Sequence, residues 1–189
     1  MKIKDISNDN EISIYDGLGK LVVTNDIDDN EITYTGGFEY GNYSGFGIEQ
    51  GTNYFYQGFW KNYQKHGFGY LKLTENGVES YYRGEFKKDK KEGYGYYVLG
   101  EESVSQGLFS GDYLIEGIKY DKENKKIYKG KFYQDTFVFG ETIDLETGES
   151  FSGNIEDGNR KGYGFTILNE NIKDQGFWDG DKLTMKVEN

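Results

Sequence analysis

The sequence predicts an all-β protein: a single elongated, twisted antiparallel sheet of about seven stacked β-hairpin repeats of about 23 residues each. Three observations support this fold class. The 189-residue chain has 17% aromatic residues and 28 glycines but no proline and no alanine, which suits pleated strands and tight turns better than helices. No segment keeps an apolar period of 3.6 residues, so we expect negligible helix. Glycines, finally, recur at a nearly constant spacing.

The recurrent element is a glycine with large side chains two residues away, as in the string Tyr56-x-Gly58-x-Trp60. Seven such glycines follow one another at intervals of 22, 26, 23, 23, 23 and 23 residues: Gly36, Gly58, Gly84, Gly107, Gly130, Gly153 and Gly176. This periodicity is typical of repeat proteins in which each repeat contacts only its neighbours.

The repeats have a second half, a Gly-x-Gly motif that begins nine residues after the first glycine. The pairs are Gly45 and Gly47, Gly67 and Gly69, Gly93 and Gly95, and Gly162 and Gly164, while single glycines, Gly117 and Gly140, remain in two repeats. Charged and turn-forming residues lie between the halves, for example in residues 87–92 and 156–161. Each repeat is therefore predicted to be one β-hairpin.

The alternation of side chains along a strand explains why glycines and aromatic residues recur two positions apart. Tyr34, Gly36 and Phe38 lie on one face of their strand, so that face alternates large side chains with bare backbone. We expect a ring to lie over the bare backbone of a neighbouring strand, which buries area that an isolated hairpin cannot bury.

The repeats divide the chain into three predicted regions. Residues 1–31 form a degenerate N-terminal repeat or cap, with a first strand at residues 12–15 and a second at Gly17-x-Gly19. Residues 32–181 form the array, and residues 182–189 form a tail whose alternating charged and apolar residues are typical of an edge-covering strand. An open sheet edge would also allow a homodimer to form.

The string Tyr-x-Gly-x-Trp/Phe-x-x-Gly-x-x-x-Gly-x-Gly resembles the MORN repeat (membrane occupation and recognition nexus). Residues 34–47 match at every marked position. Other repeats replace the middle glycine, by Tyr63, Asp89, Asp112 and Asp135. The resemblance implies an extended antiparallel sheet of hairpins, and it implies a scaffold in a cytoskeletal or ciliary assembly or, as the alternative, a lipid-binding module.

The charge and composition of the chain limit the classes of partner and the cellular location that we expect. The formal net charge of −11 repels nucleic acid and disfavours anionic lipid, so we expect a protein partner, such as a basic helix or an extended peptide. The chain has no cysteine, no apolar leader segment and no apolar run long enough to span a bilayer. We therefore expect a cytoplasmic protein, and the resemblance adds association with the cytoskeleton or a cilium.

Candidate catalytic and metal-binding groups are few. His66 is the only histidine, and residues 26–31 lack the glycine and the final glutamate of a calcium loop. Two basic stretches, residues 87–91 and the lysines at 122, 125, 126, 129 and 131, are interleaved with acidic residues and are expected to be solubilising. We expect no enzymatic activity, no cofactor and no metal.

The predicted function is therefore a non-catalytic protein-binding scaffold or adaptor; the alternative is a peripheral membrane module that binds anionic phospholipids. The candidate partner-binding residues are the large aromatic side chains of the first three repeats: Tyr34, Phe38, Tyr56, Trp60, Tyr82 and Phe86. Because Trp and Tyr dominate interface hot spots, an exposed row of them would form a binding groove. Alternatively, these rings are buried between repeats and the partner contacts the turns.

Overall fold

The computed structural model describes residues 3–4, 11–12, 16–24 and 31–187, which form strands and turns and no helix. The strands are β1 (Ile3–Lys4), β2 (Glu11–Ile12), β3 (Gly17–Thr24), β4 (Glu31–Glu39), β5 (Asn42–Gly51), β6 (Tyr54–Lys61), β7 (Gln64–Glu75), β8 (Val78–Lys87), β9 (Lys90–Leu99), β10 (Ser103–Ser110), β11 (Tyr113–Asp121), β12 (Lys126–Tyr133), β13 (Thr136–Asp144), β14 (Ser150–Glu156), β15 (Asn159–Leu168), β16 (Asn171–Asp179) and β17 (Lys182–Lys186).

Strands β3 to β17 form one open antiparallel sheet of 15 strands, in which each strand is hydrogen-bonded to its neighbours in the chain. The predicted fold class, an all-β antiparallel sheet of hairpin repeats, is therefore confirmed. The chain divides into two compact units, Met1–Tyr97 and Val98–Asn189, called the first and second units below.

The two ends of the sheet differ from each other. Residues 12–15 were predicted to form the strand that precedes Gly17, but Glu11–Ile12 pairs with Ile3–Lys4 in a separate two-stranded sheet, and residues 13–15 lie outside the described residues. Strand β3 is therefore the last strand at its end of the sheet. At the other end the tail pairs with β16, with Met185 opposite Phe177 and Leu183 opposite Trp178. The tail thus covers β16, as its alternation predicts.

A buried tyrosine ring lies over a pair of facing glycines in each of the first three full repeats. In the second of these, Gly58 on β6 is directly opposite Gly69 on β7, and Tyr56 is fully buried. A Cβ atom at Gly58 would lie 2.5 Å from the Tyr56 oxygen, and one at Gly69 would lie 2.6 Å from its Cε2 atom. The ring thus covers its own strand as well as the neighbouring one, whereas the sequence suggested only the neighbour.

The hydroxyl group of Tyr56 also has a hydrogen-bond partner. The Tyr56 hydroxyl donates a hydrogen bond to the carbonyl oxygen of Phe59, three residues along the same strand, over 3.0 Å. Equivalent bonds join Tyr34 to the Gly37 carbonyl, over 2.9 Å, and Tyr82 to the Glu85 carbonyl, over 3.2 Å. In the sixth repeat Phe151 takes the same place over Gly153 and Gly164, without a hydroxyl group.

We call the face that carries these rings the inner face and the opposite one the outer face.

The two glycines of each Gly-x-Gly motif have different roles. The second glycine, such as Gly69, lies under the ring, where no Cβ atom fits. The first, such as Gly67, has a φ of 69°, a left-handed conformation that glycine adopts without steric cost. The register of β6 and β7 shifts beside it, between Gly58 and Trp60, as in a β-bulge.

The hairpin turns explain why the middle glycine of the repeat can be replaced. Asn62 and Tyr63 have φ values of 51° and 63°, and Lys88 and Asp89 have values of 52° and 68°. Two consecutive positive φ values are the signature of the type I′ turn, which suits the twist of a hairpin. The residues that replace the middle glycine, Tyr63, Asp89, Asp112 and Asp135, all keep a positive φ.

Aspartate at this turn position also connects adjacent hairpins. The Asp89 carboxylate accepts a hydrogen bond from the Lys65 backbone N–H over 2.9 Å, and the Asp89 N–H donates to the Lys65 carbonyl over 3.1 Å. The same carboxylate bond recurs from Leu114 to Asp135 at 2.7 Å and from Arg160 to Asp181 at 3.1 Å. Asp in place of Gly therefore adds an acceptor between repeats and keeps the turn conformation.

We expect Asp135→Gly to lower the free energy of unfolding by about 1 kcal/mol, because the turn conformation is kept but the Leu114 N–H loses its acceptor. Asp157→Gly is the matched control, since Asp157 also has a positive φ, of 50°, and is exposed. Urea unfolding measures both effects. Equal stability of the two variants would show that this hydrogen bond does not stabilise the array.

Candidate protein-binding surface

The six predicted partner-binding side chains lie on β4, β6 and β8, and all of them are buried. Their exposed fractions are 0% for Tyr34, 4% for Phe38, 0% for Tyr56, 5% for Trp60, 1% for Tyr82 and 3% for Phe86. They pack on one another across repeats, with ring centroids 5.6 Å apart for Tyr34 and Trp60 and 5.3 Å apart for Tyr56 and Phe86. This matches the alternative in which the rings are buried between repeats. That a partner contacts them stays a prediction, and such binding would require the rings to leave the stack.

Further side chains cover this inner row, two residues after each turn. Tyr43 stacks on Tyr34 with ring centroids 3.5 Å apart and planes within 5° of parallel. At the same place in the next repeat the Lys65 ammonium group lies 5.6 Å from the Tyr56 ring centroid and 5.9 Å from that of Trp60. These distances are in the range of cation–π attraction, so the inner face of the first unit is closed by its own side chains.

Lys65 belongs to a half-buried polar network in the first unit. Its ammonium group donates a hydrogen bond to the Tyr54 hydroxyl over 3.2 Å and lies 3.6 Å from the Asp89 carboxylate. Tyr54 is hydrogen-bonded to Glu49. Burial raises the pKa of the Glu49 carboxyl group, and the Tyr54 hydrogen bond and the Lys65 charge only partly oppose this shift.

The second unit has an arginine in the equivalent place. The Arg160 guanidinium lies 5.0 Å from the Phe151 ring centroid and 4.9 Å from that of Trp178. It pairs with Glu149 at 2.8 Å, and Lys173 pairs with the other oxygen of Glu149 at 2.9 Å. The hydrogen bonds from Lys173 and Arg160 hold the pKa of the Glu149 carboxyl group below its usual value.

A concavity of about 600 Å³ lies beside this cluster on the second unit. Its lining includes the rings of Tyr128, Phe132, Phe137 and Phe151. Charged lining residues of both signs surround these rings: Lys119, Asp121, Lys126, Asp135, Asp144, Glu149, Arg160, Lys173 and Asp181. Four of these charged groups, Glu149, Arg160, Lys173 and Asp181, are joined by ion pairs. The mixture of both signs suits a solvated surface.

The outer face of the first unit carries exposed aromatic rings that are not among the candidate binding residues predicted from the sequence. The middle residues of the Gly-x-Gly motifs are Phe46, Phe68 and Tyr94, with exposed fractions of 50%, 64% and 72%, and Phe59, beside Gly58, is 50% exposed. Phe46 and Phe59 are direct cross-strand partners with ring centroids 5.8 Å apart. We call Phe46, Phe59, Phe68 and Tyr94 the outer patch. Because side chains alternate along a strand, these rings lie on the face opposite the buried row. This alternation is the sequence signal that could have identified them.

The outer patch is large for a surface without a partner. If a fully exposed aromatic residue offers about 200 Å², the four exposed fractions correspond to roughly 450 Å² of mostly apolar surface. The largest apolar patch of a typical soluble monomer is about 300–600 Å², and patches of that size are often functional. The outer patch is therefore a candidate interaction surface.

Lysines border the outer patch on its turn side, and we call Lys61, Lys87, Lys88 and Lys90 the lysine fringe. Lys61 follows Phe59 by two residues on the same face of β6, and Lys87 follows Glu85, which is the cross-strand partner of Phe68. All four lysines are exposed, and none of them forms an ion pair with another residue of the described part of the chain. The fringe is thus available to a partner.

The second basic stretch is different, because several of its lysines pair with glutamates. The pairs are Lys122 with Glu101 at 3.3 Å, Lys125 with Glu146 at 2.7 Å and Lys129 with Glu141 at 3.2 Å. The charge of the chain is also unevenly distributed. Residues 31–97 contain eight acidic and eight basic side chains, whereas residues 98–187 contain 17 acidic and 11 basic ones.

The candidate metal-binding residues predicted from the sequence are not part of these surfaces, and most of the acidic run lies outside the described residues. His66 lies on β7 and is half-buried, and no cluster of three or more potential metal ligands occurs in the described residues. Of the run at residues 26–31, only Glu31 is described, as the first residue of β4. Among the same described ranges there is no helix of the length and hydropathy needed to cross a membrane.

No protein-family model matches this sequence, and no curated protein matches it either.

The two glutamates are expected to affect stability with opposite pH dependences. The pKa of Glu49 is raised on folding, so its contribution to stability is present below the ordinary Glu pKa and is lost as the pH rises through the folded-state pKa. The pKa of Glu149 is lowered on folding, so its contribution is present above the ordinary value and is lost as the pH falls through the folded-state pKa.

Relative to the unmodified chain, Glu49→Gln should therefore gain stability between about pH 3.5 and pH 7, whereas Glu149→Gln should lose stability over that interval. Urea unfolding at both pH values measures the differences. The same sign of change for the two variants would contradict this assignment of the two environments.

Proposed function

We propose that this protein is a non-catalytic scaffold or adaptor that binds a protein partner through the outer patch. The observation that carries this proposal is that the patch rings are not needed for the repeat to form. In the second unit, Glu116 and Lys131 pair directly across β11 and β12 at the positions that Phe46 and Phe59 occupy on β5 and β6. The same hairpin stack therefore forms with charged residues at these positions.

The size and residue types of the outer patch suit a protein interface. Aromatic residues are enriched at interface hot spots because they bury much area with little loss of conformational freedom. A standard interface buries about 800 Å² on each partner. The roughly 450 Å² of the patch rings would supply about half of that area, and neighbouring polar residues would supply the rest.

The proposal extends, on the resemblance to MORN arrays, to a place in a cytoskeletal or ciliary assembly in the cytoplasm. The alternative function is peripheral binding to anionic phospholipids. The lysine fringe beside exposed rings favours this alternative, because rings and lysines together suit a bilayer interface. The net charge of −11 opposes it.

We expect the double variant Phe59→Thr with Phe68→Thr to fold normally and to lose partner binding. Both side chains are half-exposed or more, and threonine is well tolerated in strands. The matched control is Phe139→Thr with Tyr163→Thr, which removes outer-face rings that are 49% and 45% exposed in the second unit.

The measurement is affinity capture from an extract of the source cells, followed by mass spectrometry. Proteins retained by the unmodified chain and by the control, but lost with the patch variant, support the proposal. Retention of the same proteins by all three chains refutes it. Sedimentation with phosphatidylserine vesicles at about 0.15 M salt, abolished in the patch variant, would instead favour the lipid-binding alternative.

A further inference from the structure

We propose that the outer patch and the lysine fringe together bind an acidic segment of a partner protein that carries aromatic or aliphatic side chains among its carboxylates. This inference rests on the proposed function, since it names the chemistry of the partner that the patch binds. It differs from the expectation drawn from the net charge, which favoured a basic partner.

The geometry of the patch defines the length of such a segment. The patch rings lie on β5, β6, β7 and β9, so the distance from Phe46 to Tyr94 is four strand spacings, or about 19 Å. An extended segment of about six residues covers that distance. Alternate side chains of the segment would contact the rings, while its remaining side chains lie at the level of the turns.

The positive charges beside the rings determine the charge of the segment that can bind. Lys61 and Lys87 are on the outer face next to the patch, Lys88 lies in the turn that follows, and Lys90 begins the next strand. These exposed ammonium groups have no ionic partner among the described residues, so an incoming carboxylate does not have to replace an existing ion pair. A partner with basic residues at these places would meet four like charges.

Among the described residues, no acidic group near the patch forms an ion pair with the fringe. The Asp89 carboxylate is paired with the Lys65 ammonium group at 3.6 Å, and the Glu39 carboxylate accepts a hydrogen bond from the Ser44 hydroxyl over 3.1 Å. Glu85 is half-buried and is the cross-strand partner of Phe68. Residues 31–97 are balanced in charge, and the excess of acidic residues lies in residues 1–30, with seven acidic and three basic side chains, and in residues 98–189, with 18 acidic and 11 basic ones.

An acidic protein segment fits these observations better than an anionic bilayer. A bilayer is an extended surface of negative charge, and the net charge of −11 opposes its approach. A short segment brings only a few charges. Because the Debye length is about 8 Å at physiological salt, such a segment experiences mainly the lysine fringe.

The test uses a displayed library of random peptides of about 12 residues, selected on the immobilised full chain. We expect the selected pool to be enriched in Asp and Glu together with aromatic or aliphatic residues. The best-enriched peptide is then synthesised with a fluorescent label, and its dissociation constant is measured by anisotropy for the unmodified chain and its variants.

Three variants separate the contributions to binding. Phe59→Thr with Phe68→Thr removes the patch rings, and charge reversal of the fringe combines K61E, K87E, K88E and K90E. The control reverses two exposed second-unit lysines, K131E and K182E. We expect at least about tenfold weaker binding for the first two variants and a change within about twofold for the control.

Several outcomes would overturn the inference: a basic pool, no enrichment, or an acidic pool whose binding is insensitive to the fringe reversal. It would also be overturned if phosphatidylserine vesicles bind through the patch while the selected peptides do not. Loss of the cellular partner in the Phe59→Thr, Phe68→Thr variant, together with a basic pool, would leave the proposed function standing and remove only this inference.

Discussion

The packing of a buried aromatic ring over two facing glycines is the interaction on which the rest of this structure depends. Tyr56 illustrates it: the ring lies over Gly58 and Gly69, and its hydroxyl group bonds to a carbonyl of its own strand. Because neither glycine has a side chain, the ring contacts the backbone of both strands and is removed from water. In the first three repeats and the sixth, a hairpin that is marginal alone thereby gains a buried ring, and adjacent repeats stabilise one another. In the fourth and fifth repeats the facing glycines, Gly107 with Gly117 and Gly130 with Gly140, instead approach the backbone of the neighbouring strand.

This packing assigns different roles to the two faces of the sheet. The inner face is occupied by the rings and by the side chains that cover them, such as Tyr43, Lys65 and Arg160. The outer face has no such requirement, so its residues vary between charged pairs and exposed rings. The four exposed rings beside four exposed lysines in the first unit are therefore not required by the packing of the inner face.

Much of the fold could be predicted from the sequence, because glycine spacing and strand alternation both act over short distances. They predicted the hairpins, the shared face of Tyr34, Gly36 and Phe38, and the pairing of the tail. The candidate interaction surface could not be predicted in the same way. Alternation gives two faces, and both carry rings, so only the packing distinguishes the buried Tyr56 from the exposed Phe59. The net charge likewise does not show where the charged side chains lie. The structure shows this, because it places the four exposed lysines of the fringe beside the outer patch.

The most direct test of this account compares alanine at two glycines that both have extended backbone conformations. A Cβ atom at Gly69 would lie 2.6 Å from the Tyr56 ring, whereas one at Gly51 would lie 3.4 Å from its nearest neighbour, the Glu31 carbonyl oxygen. If the ring over the glycine pair holds the sheet together, Gly69→Ala should lower the free energy of unfolding by more than about 2 kcal/mol, whereas Gly51→Ala should change it by less than about 0.5 kcal/mol. Equal free energies of unfolding for the two variants would contradict the claim that the ring over the glycine pair holds the sheet together.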